Sequence, residues 1–512
     1  MKRKALIAAA TLATLAATAQ ETYQDATLLR PELNGSARYV GMGGAMEALG
    51  ADLSTIGTNP AGIGLFRHST ANVTFGIVSQ QDAPSMEGAD KTHASFDQAG
   101  LVYSMRTGRN SFLNFAFNYT KSRDFNHILS AAARANGSSQ NQTTYDKMDR
   151  GIFNIYEDKH GFYSDDHTCN LVDWLHLNNT LYDEKAEAPW GFYGSDTYDM
   201  LRQQYGYIGN YDFNVSGNIH DQVYLGATIG IHDVHYNKYS EYAETFNYDY
   251  GGTLLIDEQR ITGTGFDVKV GIIVRPVNES PFRFGLSVST PTFYNLTTYS
   301  YTEMHTVDLV ANRNSQGYID CNYEFRLNTP WKFGASIGHT VGNMLAVGVS
   351  YEFADYGKTD NRIIDGYDYY GYETSSSDKT MNHHTEKTLK AVSTLKVGME
   401  LRPDPSLAVR LGFNYVSPMF EDFGYKDVNL NSLGNYYSSS TDYTNWESTY
   451  RITAGLGYRF DHFNVDFAYQ YNTTNGVFTP YTLLNNSSTV APESVKVNDK
   501  RHQAMLTLGY TF

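Results

Sequence analysis

At 512 residues the chain is long enough for a large core, yet only 41% of it is hydrophobic while 14% is aromatic, with 41 tyrosines and 44 glycines. The formal charge of −16 becomes −19 once the three basic residues of the leader described next are removed, and such acidity excludes nucleic acid as a partner, because phosphate binding needs clustered Lys and Arg. A polar average with abundant Tyr and Phe fits a membrane barrel, where only alternate residues face lipid and aromatics form girdles at the two interfaces.

Met1 to Ala19 carries Lys2, Arg3 and Lys4, an apolar run from Ala5 to Ala17, and Ala17-Thr18-Ala19 at its end. This pattern predicts a secretory signal peptide over 1–19, with cleavage before Gln20. No other long apolar stretch follows, so no helical span is expected.

The segment 20–68 reads as neither amphipathic strand nor long helix. It contains Gly41, Gly43 and Gly44 and then Asn59-Pro60-Ala61-Gly62. Glycines allow close backbone approach and positive φ, and Asn before Pro favours a turn. A glycine-rich piece of this size ahead of the first strand is suited to fill a lumen that would otherwise be an aqueous hole.

From 69 to 512 the sequence alternates with period two. Segments begin at Ala71-Val73-Phe75-Ile77, Ala99-Leu101-Tyr103-Met105 and Leu113-Phe115-Phe117-Tyr119, and end at Ala504-Leu506-Leu508-Tyr510-Phe512. Counting all of them gives about fourteen strands, joined alternately by short turns and by long loops, the long ones expected outside the cell. The fold class is therefore all-β: a transmembrane antiparallel β-barrel of about 14 strands with an N-terminal lumenal plug. Its last strand, ending on Phe512, is the element through which barrel-assembly machinery would engage the chain, and its surrounding partner is outer-membrane lipid.

The longest loop, 121–206, is too long for a plain connection. Phe125, Ile128, Leu129 and Ala132 fall at helical spacing within 124–135, and Trp174, Leu175 and Leu177 supply a second apolar cluster. These residues are candidates for a hydrophobic ligand groove; the alternative is that they pack the loop onto the barrel rim.

Catalysis has little support. There is no Gly-x-Ser-x-Gly elbow, and Asp165-Asp166-His167-Thr168-Cys169 and His383-His384 lack the second spaced pair a zinc site needs. The aspartates Asp355, Asp360, Asp365 and Asp368 lack EF-hand spacing. Neither a metal nor any other cofactor is expected. Cys169 and Cys321 are the two cysteines, and an oxidising envelope would permit a disulfide that their spacing does not decide.

The Gly-Met-Gly-Gly-Ala run at 41–45, Asn59 to Gly62 and the Phe-terminated barrel of about fourteen strands together resemble the FadL/TodX family of outer-membrane transporters for long-chain fatty acids and other hydrophobic compounds. The architectural likeness spans nearly the whole mature chain, but residue-level likeness is confined to about thirty positions near the plug, so ligand identity does not carry over. The resemblance implies a lumenal hatch, a site for a hydrophobic small molecule near the outer loops, and lateral release into the membrane. A general porin would lack the hatch, and a TonB-dependent receptor would need about twenty-two strands. The competing reading is a FadL-like protein that does not transport but binds secreted proteins.

Overall fold

The computed structural model describes residues 21–512 except 278, 311 and 485–488, so the expected leader lies outside the described residues. Fourteen antiparallel wall strands close into a ring. The first six are Thr70–Gln80, Thr92–Arg106, Phe112–Asp124, Ser195–Ile219, Val223–Phe246 and Gly251–Val274. The seventh is Arg283–Ser289 continued by Phe293–Asp308, and the eighth is Arg313–Asn328 continued by Lys332–Val341. Then come Leu345–Asp355, Ala391–Asp404, Leu407–Val416, Tyr443–Phe460, Phe463–Thr479 and Val495–Thr511. The first strand pairs with the last from Thr70 opposite Thr511 to Gln80 opposite Arg501, leaving no free edge at the seam. That closure is what a sheet in hydrocarbon requires.

Alternation sets the two faces. Phe75, Ile77, Leu101, Tyr103, Ile229, Phe266, Leu411, Ile452 and Leu508 point outward and are exposed, whereas Thr74, Gln98, Asn114, Asn118, Asp212, Asn214, Arg410 and Thr507 are buried inside. An apolar exterior around a polar interior is the arrangement of an outer-membrane barrel. No helix among the described residues is long and apolar enough to cross a membrane.

Two expectations need correction. The helical spacing over 124–135 does not give a helix: His127–Arg134 is a strand, paired with the upper half of the fourth wall strand from His127 opposite Gln204 to Arg134 opposite Thr197. The fourth strand is 25 residues long and rises past the membrane, so its upper edge needs a backbone partner, and this need outweighs a short apolar pattern that suits either state. Several long loops are also largely strand. The stretch 300–318, for example, is a hairpin that continues the seventh and eighth strands.

The N-terminal residues 21–68 form a helix Thr22–Leu29, a five-residue helix Ala37–Gly41 and two 3₁₀ turns, Leu53–Gly57 and Pro60–Leu65. Each has a side-chain cap: Glu21, Ser36, Asp52 and Asn59 accept from backbone N–H groups of the first turn. The segment lies against inward strand faces. Arg38 pairs with Glu400 at 3.0 Å, Lys396 with Glu47 at 2.8 Å, and the Ala37 N–H donates to Thr507 Oγ1 at 2.7 Å. Contact is close enough to demand glycine on the wall. A Cβ at Gly412 would collide with the backbone at Met42 and Gly43, and one at Gly271 with the Asn59 amide. Gly271→Leu should therefore leave a barrel that migrates with normal heat-modifiability on gels while rendering residues 21–68 susceptible to protease.

Candidate functional site

Above the five-residue helix the lumen holds two cavities. The upper one, about 1080 Å³ including space open to solvent, is bounded by the helix Thr22–Leu29, the strand His127–Arg134 and the loops after the eleventh strand. Aromatic pairs build its sides. Tyr23 stacks on Phe420 with centroids 5.2 Å apart, and Phe125 meets Tyr236 edge-on at 5.0 Å. Val392, Val416, Met419 and Leu129 fill in between, and the Arg30 guanidinium lies 5.0 Å over the Trp446 ring.

The floor is cationic. Arg30, Arg123, Arg451 and Arg501 converge on two carboxylates, Glu32 and Asp499: Arg501 bonds Asp499 at 2.8 Å, Arg30 reaches it at 3.5 Å, and Arg123 and Arg501 approach Glu32 at 3.5 and 3.6 Å. Arg451 donates to the Pro31 carbonyl at 2.8 Å. Burial pushes the Arg30 guanidinium down to about 9, opposed by Asp499 and reinforced by the neighbouring arginines. Positive charge in excess of its partners makes this layer a place for a polar head that accepts hydrogen bonds.

Below the layer lies the middle cavity, about 1450 Å³ on the same measure, which shares Arg30, Pro31 and Arg123 with the upper one. Charged groups line it, as Arg202, Lys238, Lys426, Asp442 and Glu447 line the upper one. Lys269 bridges Asp212 and Asp267 at 3.0 and 2.8 Å, and Lys332, Glu352 and Lys396 face the same space.

The wall is breached at the level of this layer, where Thr120 and Ser122 line the middle cavity and Arg123 lines both. Pairing between the second and third strands stops at Gln98 opposite Thr120; beyond it Thr92–Asp97 pairs only with the first strand, and Lys121–Asp124 turns to the fourth with a register shift. Side chains seal the gap. Lys121 and His93 reach Asp124 at 2.6 and 3.0 Å, and the Gln80 amide bonds both backbone groups of Ile128 at 2.7 and 2.8 Å.

The candidate groove residues separate. Phe125 and Leu129 line the upper cavity. Trp174 and Leu175, on the helix Leu171–Asn179, pack into the apolar cluster that contains Phe125 and Leu129 but do not line the cavity. Leu177 joins a separate cluster with Phe153, Cys169 and Leu181, and Ile128 is held by Gln80 at the breach. Gly41, Gly43, Gly44, Asn59, Pro60, Ala61 and Gly62 are all buried in the N-terminal segment, away from the upper cavity. Both cysteines are free thiols, buried in different clusters. Sequence reasoning missed Tyr23, Phe420 and Trp446, which sit in a short helix, in an irregular segment and near a strand end. It also missed the arginines, although Arg451 and Arg501 fall on the inward register of their strands and were legible as polar residues where the lumen lies.

Overlaid on solved structures, the fold matches a FadL homologue from Pseudomonas aeruginosa at 12% identity, covering 94% of this chain and 99% of that one, with a TM-score of 0.50. The fold is that of a FadL-type barrel. Toluene transporters from Ralstonia pickettii (TbuX; 13% identity, TM-score 0.49) and Pseudomonas putida (TodX; 10%, 0.49) are also similar, each over 94% of this chain and 99% of the other. No family profile and no curated protein sequence matches.

One buried acid on the helix Thr22–Leu29 gives the upper cavity a pH signature. Asp25 is fully buried with no cation beside it, and burial holds its carboxyl well above the ordinary range, eased only by the Asn361 amide. A raised carboxyl stabilises docking of the helix fully below its free value of about 4, and that contribution is lost as pH climbs through the raised value. Hydrogen exchange of residues 21–30 should therefore quicken with rising pH beyond the intrinsic rate increase. Asp25→Asn should remove the excess.

Proposed function

We propose that the protein is an outer-membrane channel for hydrophobic small molecules, which enter the upper cavity passively and leave sideways into the bilayer through the breach between the second and third strands. The observation that carries this reading is the order of environments along the lumen. The upper cavity carries Tyr23, Phe125, Tyr236, Phe420 and Trp446 and shares Arg123 with the edge of the wall gap, while the route straight down meets the arginine layer and then the ion pairs of Lys269. Burial of apolar surface is worth about 25 cal/mol per Å², so a hydrocarbon enters without an energy source. Going further down would strip water from Lys269, Asp212 and Asp267, which costs more than the ligand returns. In this reading residues 21–68 act as the hatch, with Asn59 and Pro60 fixing the turn beneath the wall glycines Gly226 and Gly271.

A disulfide between Gln98→Cys and Thr120→Cys, made with Cys169 and Cys321 replaced by Ser, would staple the last pair of the ladder below the breach. Uptake of a labelled alkane by cells expressing this variant should fall several-fold when oxidised and recover on reduction. Equal uptake in both states contradicts lateral exit, and rapid sugar diffusion through the purified protein in liposomes selects a porin instead. Capture of secreted proteins together with unchanged uptake on deletion selects the binding reading. Phe420→Ala, which removes the stacking partner of Tyr23, should weaken ligand binding about tenfold, or about 1.4 kcal/mol, by titration.

A further inference from the structure

Two neighbouring wall strands break at the same height, and a proline stands in each break. The seventh strand stops at Ser289 and resumes at Phe293, and the eighth stops at Asn328 and resumes at Lys332. Pairing keeps one register across the interruption, with Ser289 opposite Lys332 below and Phe293 opposite Asn328 above. Pro291 therefore faces Pro330, and Thr292 faces Thr329. Neither proline has an N–H to give, so two adjacent strands lose ladder donors at one level. The ninth strand leaves the wall at the same place: it ends at Asp355, and the turn Tyr356–Lys358 intervenes before Asp360 pairs with Asn328.

Threonine holds the seam together. The Thr292 N–H donates to Thr329 Oγ1 at 2.8 Å and the Thr329 N–H to the Thr292 carbonyl at 3.1 Å. On the other side the Thr290 N–H donates to the Val268 carbonyl at 2.9 Å, and the Val268 N–H to Thr290 Oγ1 at 3.1 Å. Outside, Trp331, Phe293 and Phe333 are 50%, 41% and 49% exposed. Inside, the seam opens on the middle cavity, which Ser289, Thr290, Thr292 and Thr329 line. Lys332 lines it too, within electrostatic reach of Tyr356, Glu352 and Asp267, which line the same cavity. Irregular backbone at membrane depth is tolerated where it lines a cavity, and hydroxyl bonds can exchange partners without breaking a continuous ladder.

We propose that this seam is a second side portal, one that takes single-chain amphiphiles: the chain lies between Trp331, Phe293 and Phe333, and the polar head among the threonine hydroxyls and Lys332. The seam meets the charged lining of the middle cavity, which a hydrocarbon enters at a loss and a headgroup enters at a gain. The inference rests on the transporter reading above, and its test separates the two.

A Thr292→Cys/Thr329→Cys pair, with Cys169 and Cys321 replaced by Ser, places thiols on directly opposed residues whose Cβ atoms are about 5 Å apart, as cross-strand partners are. Cells expressing it are offered a labelled long-chain fatty acid or a labelled alkane, with the disulfide oxidised or reduced. Oxidation should slow fatty-acid uptake several-fold and leave alkane uptake unchanged. Fatty-acid uptake that is the same in both states overturns the portal. If the Gln98/Thr120 staple still blocks the alkane in that case, the transporter reading survives; if neither staple slows either compound, both fall. Pro291→Val/Pro330→Val, which restores two ladder donors without a cross-link, should reproduce the selective loss, and normal fatty-acid uptake in that variant likewise overturns the portal.

Discussion

In hydrocarbon an unpaired peptide group has no water to turn to, and the rest of this structure follows from meeting that requirement with strands. The first strand must find the last, which it does over eleven consecutive pairs from Thr70 to Gln80. Closure around fourteen strands then creates a bore too wide for wall side chains alone to fill. The inward register is free to be polar, since its side chains never meet lipid, and the outward register has to be apolar. A departure from continuous pairing is costly here, so the places where pairing stops carry information that the regular wall does not.

Filling the bore falls to a segment that could not hold its own shape. Helices of eight and five residues are far below the length at which helices persist alone in water. Their stability comes from the wall, through glycine contacts and through charge pairs in a low dielectric. Glu400 is held by Arg38 from the segment and by Arg402 and Arg410 from the wall, at 3.0, 2.8 and 2.6 Å. Removing one partner of a buried pair of this kind costs about 3–5 kcal/mol, because the charge left behind is neither solvated nor matched. Such pairs add little net stability over apolar packing, but they fix where the segment sits.

The wall was the most legible part of the chain, because a period of two survives in each strand whatever the strand contacts. The strand count was readable for that reason. What the period could not show was how far strands rise above the membrane. Outside the bilayer the outward face turns polar, as at Glu258, Arg260 and Asn295, and the alternation that marks a strand fades into a pattern that looks like loop. Phe125 and Leu129 were found because they are apolar in a polar stretch, although a helix was inferred where a strand forms. Tyr23 comes to Phe420 and Trp446 from near the other end of the chain, and no local pattern announces that kind of meeting.

The aromatic groups of the upper cavity and the ion pairs of the middle one follow from the same geometry. Near the rim, the strand His127–Arg134 and the outer loops bring apolar side chains over the bore, and the helix Thr22–Leu29 packs beneath them. At mid-height the wall strands and residues 28–34, 39, 54, 57 and 58 of the N-terminal segment surround the space, and the inward register of the strands is polar because lipid does not touch it. The Arg30 to Glu32 layer lies at the boundary, where the N-terminal segment passes from one environment to the other. The gap at Gln98 and Thr120 lies beside that layer: the Asp124 N–H donates to Glu32 at 2.8 Å, so the N-terminal segment meets the wall where its pairing stops.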